Sequence, residues 1–373
     1  MKTLKILLFS FSLIGSVGFS SEIDLSNQFS NIHKQQNANT CYIHTGIGLI
    51  EAALHREGFQ VTISDEAVIL NFINKLLDSS TRFSSTDWLE SMQSILVKNI
   101  YYFQRGKTES LADYGLLNKE LIYFLTQLEL PIEQEFTNLN PLKDKFKSLT
   151  DRYSMELLKT KSPIPIPEMM PEELLKWEGF SKIRPQLQSD WNALIQQIPK
   201  AQTVNENLQS LKIRAVDLQI SKKNHEMNAL LETLANAPTL KETEELNQAK
   251  RQCSETSVNL QNQLEWFLKH QIPLAVGIYP AGVEFGPDLN NLKTVYKTSH
   301  HALILTGIKN IEGKKYYLLR DSGFIQGSSH ARFPVEEGCR ILNAVALVTK
   351  NDIEKFKKER PPKLNSIPSL NLS

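Results

Sequence analysis

Apolar residues recur at helical spacing through the first third of the chain. Ile43, Ile47, Ile50 and Leu54 share one side of a segment from 41 to 57, and Gly58 follows as a C-cap. The same period predicts helices over 64–78, 86–103 and 115–129. The last carries Leu121, Phe124, Leu125 and Leu128 on one side. Beyond Phe136 the composition shifts. Ser162-Pro-Ile-Pro-Ile-Pro reads as a stiff, extended linker. From about 171 to 269 the chain is polar and helix-prone. Leu208, Leu211, Ala215 and Leu218 keep a heptad until Lys222 and His225 interrupt it. A capping box from Thr239 to Glu242 follows Pro238. It opens a helix with Leu246, Ala249, Cys253, Leu260 and Leu264 on one stripe. This region reads as an antiparallel helical hairpin or small bundle.

Strand patterning arrives late. Runs at 272–279, 301–308, 315–320 and 341–348 predict strands, with a turn at Asn310-Ile-Glu-Gly between the middle two. Helices first and strands later point to an α+β fold. The expected divisions are a signal peptide at 1–20, a helical lobe at 21–136, a helical insertion at 137–255, an antiparallel sheet lobe at 256–350 and a disordered tail at 351–373. The signal reading rests on Lys2 and Lys5, the short apolar run Leu4 to Ile14, and small residues at Gly18 and Ser20. That run is too short to span a bilayer, so the chain is expected to be exported, to the periplasm or the medium. The tail is charged and carries Pro361-Pro362.

Composition narrows the function. Of 373 residues, 41% are apolar and 22% charged, which is a globular balance. The formal net charge of +1 offers no basic surface for nucleic acid or anionic membrane. The three cysteines are Cys41, Cys253 and Cys339. An odd count in an exported protein suits one pair and one free thiol. If Cys253 and Cys339 pair, Cys41 is free; simple burial of Cys253 on its helix stripe competes with that disulfide.

Cys41 sits at a predicted helix start, where unpaired N–H groups carry roughly half a positive charge. That field favours thiolate over thiol. His301 opens the run His301-Ala-Leu-Ile-Leu-Thr-Gly307, which reads as a buried strand. Folding the hairpin about residue 311 or 312 brings Asp321 opposite His301, within a residue of register. Opposed residues in an antiparallel pair have Cβ atoms about 5 Å apart. Asp321 is therefore placed to orient the His301 ring. His300 is the rival base. Gln35, six residues before Cys41, is a donor for an oxyanion alongside the Cys41 N–H, and Gln36 is its alternative. No His, Cys or Asp cluster has metal-ligand spacing, and no cofactor is implied.

These residues resemble the papain-like cysteine peptidases. That family carries Gln, then Cys-Trp six residues later at a helix start, then an acidic residue along the helix; the chain has Gln35, Cys41-Tyr42 and Glu51. Ile63-Ser-Asp-Glu66, Gly115, Glu120-Leu121, Glu133 to Phe136 and Pro273-Leu-Ala-Val276 are similar to its later motifs. His301-Ala302 with Gly307 matches the motif of its base, and Asp321-Ser-Gly-Phe324 aligns in part with its Asn-Ser-Trp-Gly. The family separates Cys from His by about 130–150 residues; here 260 positions intervene, and the surplus is close to the size of the helical insertion. The likeness thus covers 21–136 and 256–350. Its departures are Tyr42 for Trp, no Cys just before the nucleophile, Asp321 for Asn, and Gly323 for Trp. The resemblance implies a two-lobed fold and a cysteine peptidase acting on a peptide or protein substrate. Cys41 is its nucleophile, His301 its base, Asp321 the orienting residue and Gln35 the oxyanion donor. The insertion reads as a roof over the cleft, a restriction on substrate size, a binding surface for a protein partner, or a peripheral decoration. Two other functions fit the same residues. One is a binding or scaffold protein on this fold; the other is acyl transfer or amide hydrolysis on a non-protein substrate.

Overall fold

The computed structural model describes residues 22–29, 41–78, 93, 97, 118–133, 140–160, 169–198, 202–218, 220–236, 240–278, 283–286, 293–294, 301–322 and 330–358. Its helices are α1 (Cys41–Arg56), α2 (Asp65–Leu77), α3 (Lys119–Thr126), α4 (Asn140–Lys159), α5 (Pro171–Lys176), α6 (Glu178–Ile195), α7 (Asn205–Leu211), α8 (Lys222–Asn236), α9 (Leu240–Lys269) and α10 (Lys350–Lys358). Its strands are β1 (Ile23–Asp24), β2 (Arg214–Asp217), β3 (Leu274–Ile278), β4 (Glu284–Gly286), β5 (Lys293–Thr294), β6 (His301–Ile311), β7 (Lys314–Arg320), β8 (His330–Pro334) and β9 (Ile341–Val348). The strands form one sheet in the order β2-β9-β3-β6-β7-β8-β4-β5, with β1 on β6. The described pairings are antiparallel. The fold is α+β.

Two faces of the central strands serve two cores. Ala275, Ala302, Val345 and Leu347 join the apolar cluster built on α1, α2, α3, α4 and α6. Leu274, Val276, Leu303, Leu305, Ala344 and Ala346 face the other way and pack with Leu260, Leu264, Phe267 and Leu268 of α9. This alternation is the period-two signature of strands. It explains why the runs read as apolar throughout: both faces are covered.

Helix α1 is buried from Cys41 to Leu54, its polar His44, Thr45 and Glu51 included. It lies against β3, β6 and β9. The approach is close because Gly48 has no side chain; a Cβ there would stand 2.6 Å from Ile304 Cδ1. Helix α2 starts at Ser64, whose hydroxyl accepts from the Ala67 N–H. Asn118 caps α3 in the same way through Leu121.

The segment expected as a helical insertion at 137–255 contributes to three places. Helix α6 packs on α2, with Trp191 Nε1 donating to the Leu70 carbonyl at 3.1 Å. Strand β2 pairs with β9 at the sheet edge. Only α8 and the first part of α9 make the expected helical hairpin. The heptad from Leu208 to Leu218 breaks because Lys212 takes a left-handed conformation, φ 47°, and ends α7. Ala215 therefore lies in a strand. The α9 stripe is as expected: Ala249, Cys253, Leu260 and Leu264 are buried.

The tail needs the same correction. Residues 350–358 form α10, because Thr349 and Asp352 cap it reciprocally. Thr349 N donates to Asp352 Oδ2 at 2.9 Å, and Asp352 N to Thr349 Oγ1 at 3.2 Å. Arg56 of α1 adds a hydrogen-bonded ion pair to Asp352 at 3.1 Å. Residues 359–373, the signal segment 1–20, the Pro-rich run at 162–167 and most of the helix expected at 86–103 lie outside the described residues. Among the described residues, no helix is long and apolar enough to cross a membrane.

At the N-terminal end, β1 takes the edge of β6 beyond β3, pairing Asp24 with Gly307. A Cβ at Gly307 would stand 2.0 Å from the Ile23 carbonyl oxygen, so this crossing depends on glycine. Cys253 of α9 and Cys339 of the 3-10 turn after β8 form a disulfide across 86 residues of sequence, and both are fully buried. Replacing both by alanine is expected to lower unfolding stability by about 2–4 kcal/mol. Urea unfolding under non-reducing conditions checks it; an unchanged midpoint would show the bridge to be energetically silent.

Candidate active site

Three of the four expected site residues lie within the described structure, and they meet. Cys41 opens α1 and is free and buried. His301 opens β6, and Asp321 follows β7 directly. His301 Nε2 stands 2.8 Å from Asp321 Oδ1. The ring is 7% exposed and Asp321 1%, so the pair is shielded from bulk water. The Cys41 sulfur is a further hydrogen-bonding neighbour of the His301 ring. With Nε2 committed to Asp321, Nδ1 is the ring nitrogen on the sulfur's side. Gln35, Gln36 and His300 lie outside the described residues.

The register differs from the simple hairpin expectation. The ladder pairs Ile311 with Lys314, so the turn is centred later than residue 311 or 312, and a bulge between Leu305 and Gly307 then sets Ile304 opposite Arg320. Asp321 therefore falls diagonal to His301 rather than opposite it. Diagonal neighbours are further apart at Cβ, yet within reach of long side chains. The imidazole spans that gap.

Electrostatics follow from the geometry. Burial alone pulls the His301 pKa down. The Asp321 carboxylate, by charge and hydrogen bond, and then the Cys41 sulfur outweigh burial and push it up to about 10. His301 is thus an imidazolium at neutral pH. Beside it, Tyr42 turns into the core, edge-on to Phe72 with ring centroids 6.2 Å apart. Burial, and then the neighbouring Cys41, pushes its phenol above the ordinary range. Glu51, ten residues along α1 from Cys41, is a structural brace: its Oε1 accepts the Ile63 N–H at 2.6 Å.

One residue of the site was not singled out in the sequence. His44, on the turn after Cys41, is 4% exposed, and its Nδ1 stands 3.1 Å from Asp65 Oδ2 at the start of α2. The available signal was a histidine within an otherwise apolar, helix-period segment. Asp65 falls within the Ile63-Ser-Asp-Glu66 motif.

Among the described residues, no group of three or more His, Cys, Asp and Glu is placed to hold a metal ion. The arrangement is a sulfur, an imidazolium and a carboxylate in successive contact at a helix N-terminus. Such a set can form a covalent bond to an electrophilic carbon and move one proton.

No protein-family model and no curated protein sequence matches the chain, so the geometry itself carries the functional reading. It also sets a pH dependence. The folded His301 pKa of about 10 lies above the ordinary 6.5. Its stabilising contribution is complete below pH 6.5 and is lost as pH rises toward 10. The melting temperature is expected to fall across that window by about 2–4 °C for each kcal/mol lost. Asp321→Asn should narrow the window toward neutrality, and His301→Gln should remove this component. Equal pH slopes in all three proteins would contradict the coupling.

Proposed function

We propose that the chain is an exported cysteine peptidase with a papain-like, two-lobed fold. The observation that carries this reading is the buried His301 ring held between Asp321 at 2.8 Å and the Cys41 sulfur. Support for two lobes comes from the two large apolar clusters, one mostly helical and one built on the sheet with α9. The Cys253–Cys339 bridge supports export, because such bonds persist in oxidising compartments.

In this reading the Cys41 thiolate adds to the carbonyl carbon of a peptide bond. The carbonyl π electrons move to oxygen, and the backbone N–H of Cys41 donates to that oxyanion, with Gln35 as the second donor. His301 gives its proton to the leaving nitrogen as the C–N bond breaks, leaving a thioester. A water then loses a proton to His301 and attacks the thioester carbon. The C–S bond breaks, the acid product departs and the thiolate–imidazolium pair is restored. Asp321 remains ionised throughout and orients the ring. The helices between residues 140 and 195 offer a protein-binding surface beside the nucleophile's lobe, where Met155 and Met170 are 45% and 60% exposed.

A peptide carrying a thiol-reactive electrophile tests the proposal. Intact-mass analysis and peptide mapping should show one adduct, on Cys41. His301→Ala should slow its formation, and peptide hydrolysis with it, by about 10²–10⁴-fold. An adduct that forms equally fast without His301 would leave Cys41 a bare thiol and favour a binding role for the fold.

A further inference from the structure

Two oppositely charged side chains adjoin in sequence at the end of β7, and they do not pair. Arg320 and Asp321 line the same small cavity behind the triad. Asp321 gives Oδ1 to His301, and its Oδ2 is buried with no hydrogen-bond partner among the described residues. A guanidinium is well matched to such an oxygen, because its planar fork fits a carboxylate. Arg320 instead lies over the Phe29 ring, its Cζ 4.9 Å from the ring centroid, inside the range of a cation–π contact. Burial works against the Arg320 charge, and Glu51 of α1 favours it. Phe29 is itself firmly seated. It is buried against Ala52 of α1 and Ile304 of β6. The segment that carries it is fixed to its surroundings at two points. The Leu25 N–H donates to the Thr306 carbonyl at 2.8 Å, and Gln28 Nε2 donates to the Gln271 carbonyl at 2.9 Å.

We propose that Phe29 is a positioning residue that holds the Arg320 guanidinium away from Asp321, leaving the carboxylate's charge to His301. The physical reason is competition. A cation paired with Asp321 Oδ2 would draw on the same negative charge that holds the His301 proton, and would also repel the imidazolium. Arg320 turned onto Asp321 therefore weakens the thiolate–imidazolium pair, and Arg320 stacked on Phe29 acts on it less. The N-terminal segment thus reaches the triad indirectly: β1 crosses at Gly307, Phe29 follows, and its ring sets where a buried charge rests. The titratable and charged groups around this contact are Asp321 and Cys41 on His301, Glu51 and His44 of α1, Asp65 of α2 beside His44, and His330 of β8 opposite Arg320. The consequence for catalysis rests on the reading of Cys41, His301 and Asp321 as a triad; the resting place of the guanidinium does not.

Variants of the full mature chain test it through the pH dependence of Cys41 alkylation by a chloroacetamide, whose upper transition reports loss of the His301 proton. Phe29→Ala should move that transition down by about one to two pH units, the value of one hydrogen bond to a charged group. Phe29→Leu keeps an apolar side chain against Ala52 and Ile304 but has no ring face, and should shift it in the same direction by less. Arg320→Met added to Phe29→Ala should bring the transition back to the wild-type value. A merely structural role for Phe29 predicts no such rescue, because the second substitution removes further contacts. No shift in Phe29→Ala and Phe29→Leu, or a shift that Arg320→Met does not reverse, overturns the proposal. A crystal structure of Phe29→Ala reads the guanidinium directly. It should stand within about 4 Å of Asp321 Oδ2, the reach of an ion pair; a guanidinium that keeps its wild-type place also overturns the proposal. A wild-type profile whose upper transition survives His301→Ala would instead strike at the triad, and the crystallographic result would still decide where Arg320 rests.

Discussion

One buried contact constrains the rest of this fold: an imidazole held between a carboxylate and a sulfur that arrive from different ends of the chain. Removing charge from water is expensive, and the pair is tolerated only because hydrogen bonding offsets desolvation. Strand β6 must therefore begin where α1 begins, and β7 must end there too. The close seat of α1 on the sheet follows. Gly48, Ala52, Ala53, Ala275 and Ala302 are all small, and the helix lies near enough for its first residue to meet the first residue of a strand. On the opposite face, α9 backs the sheet with Leu260, Leu264, Phe267 and Leu268, and the disulfide ties that helix to the turn after β8. β1, crossing at Gly307, covers the edge of β6 that β3 leaves open.

Much of this was legible in the sequence where a period was clean. The helix at 41–57, the strand at 341–348 and the hairpin of β6 and β7 emerge within a residue or a few of their observed bounds. The pairing of His301 with Asp321 could be anticipated because a tight turn fixes register over the length of a hairpin. The bulge at Leu305 to Gly307 could not, since an extra residue in one strand leaves no pattern in a run of apolar side chains. Together with the later centre of the turn, it places Asp321 diagonal to His301.

Long-range partners were the hidden part. Arg-Ala-Val-Asp at 214–217 has too little pattern to be read as a strand, and it becomes one only because β9 presents an open edge. The helix after Thr349 was masked by the charge of the tail. Its Lys-rich outer face is solvated, while Ile353 and the capped Asp352 anchor it to α1 through Arg56. His44 lacked any motif because its partner, Asp65, belongs to another helix and meets it only after folding. The region at 137–255 looks separate in sequence because its composition is polar, yet its few large residues, Leu187, Trp191 and Leu194 among them, complete the apolar core around α1.

The most direct test of the central contact is the charge on one ring. ¹⁵N NMR of the His301 imidazole, followed through pH in the wild-type protein and in Asp321→Asn, reads its protonation state atom by atom. The account predicts a wild-type ring protonated on both nitrogens at pH 7 and titrating near pH 10, with a lower midpoint once the carboxylate is gone. A ring that is neutral at pH 7, with a midpoint indifferent to Asp321, would contradict it.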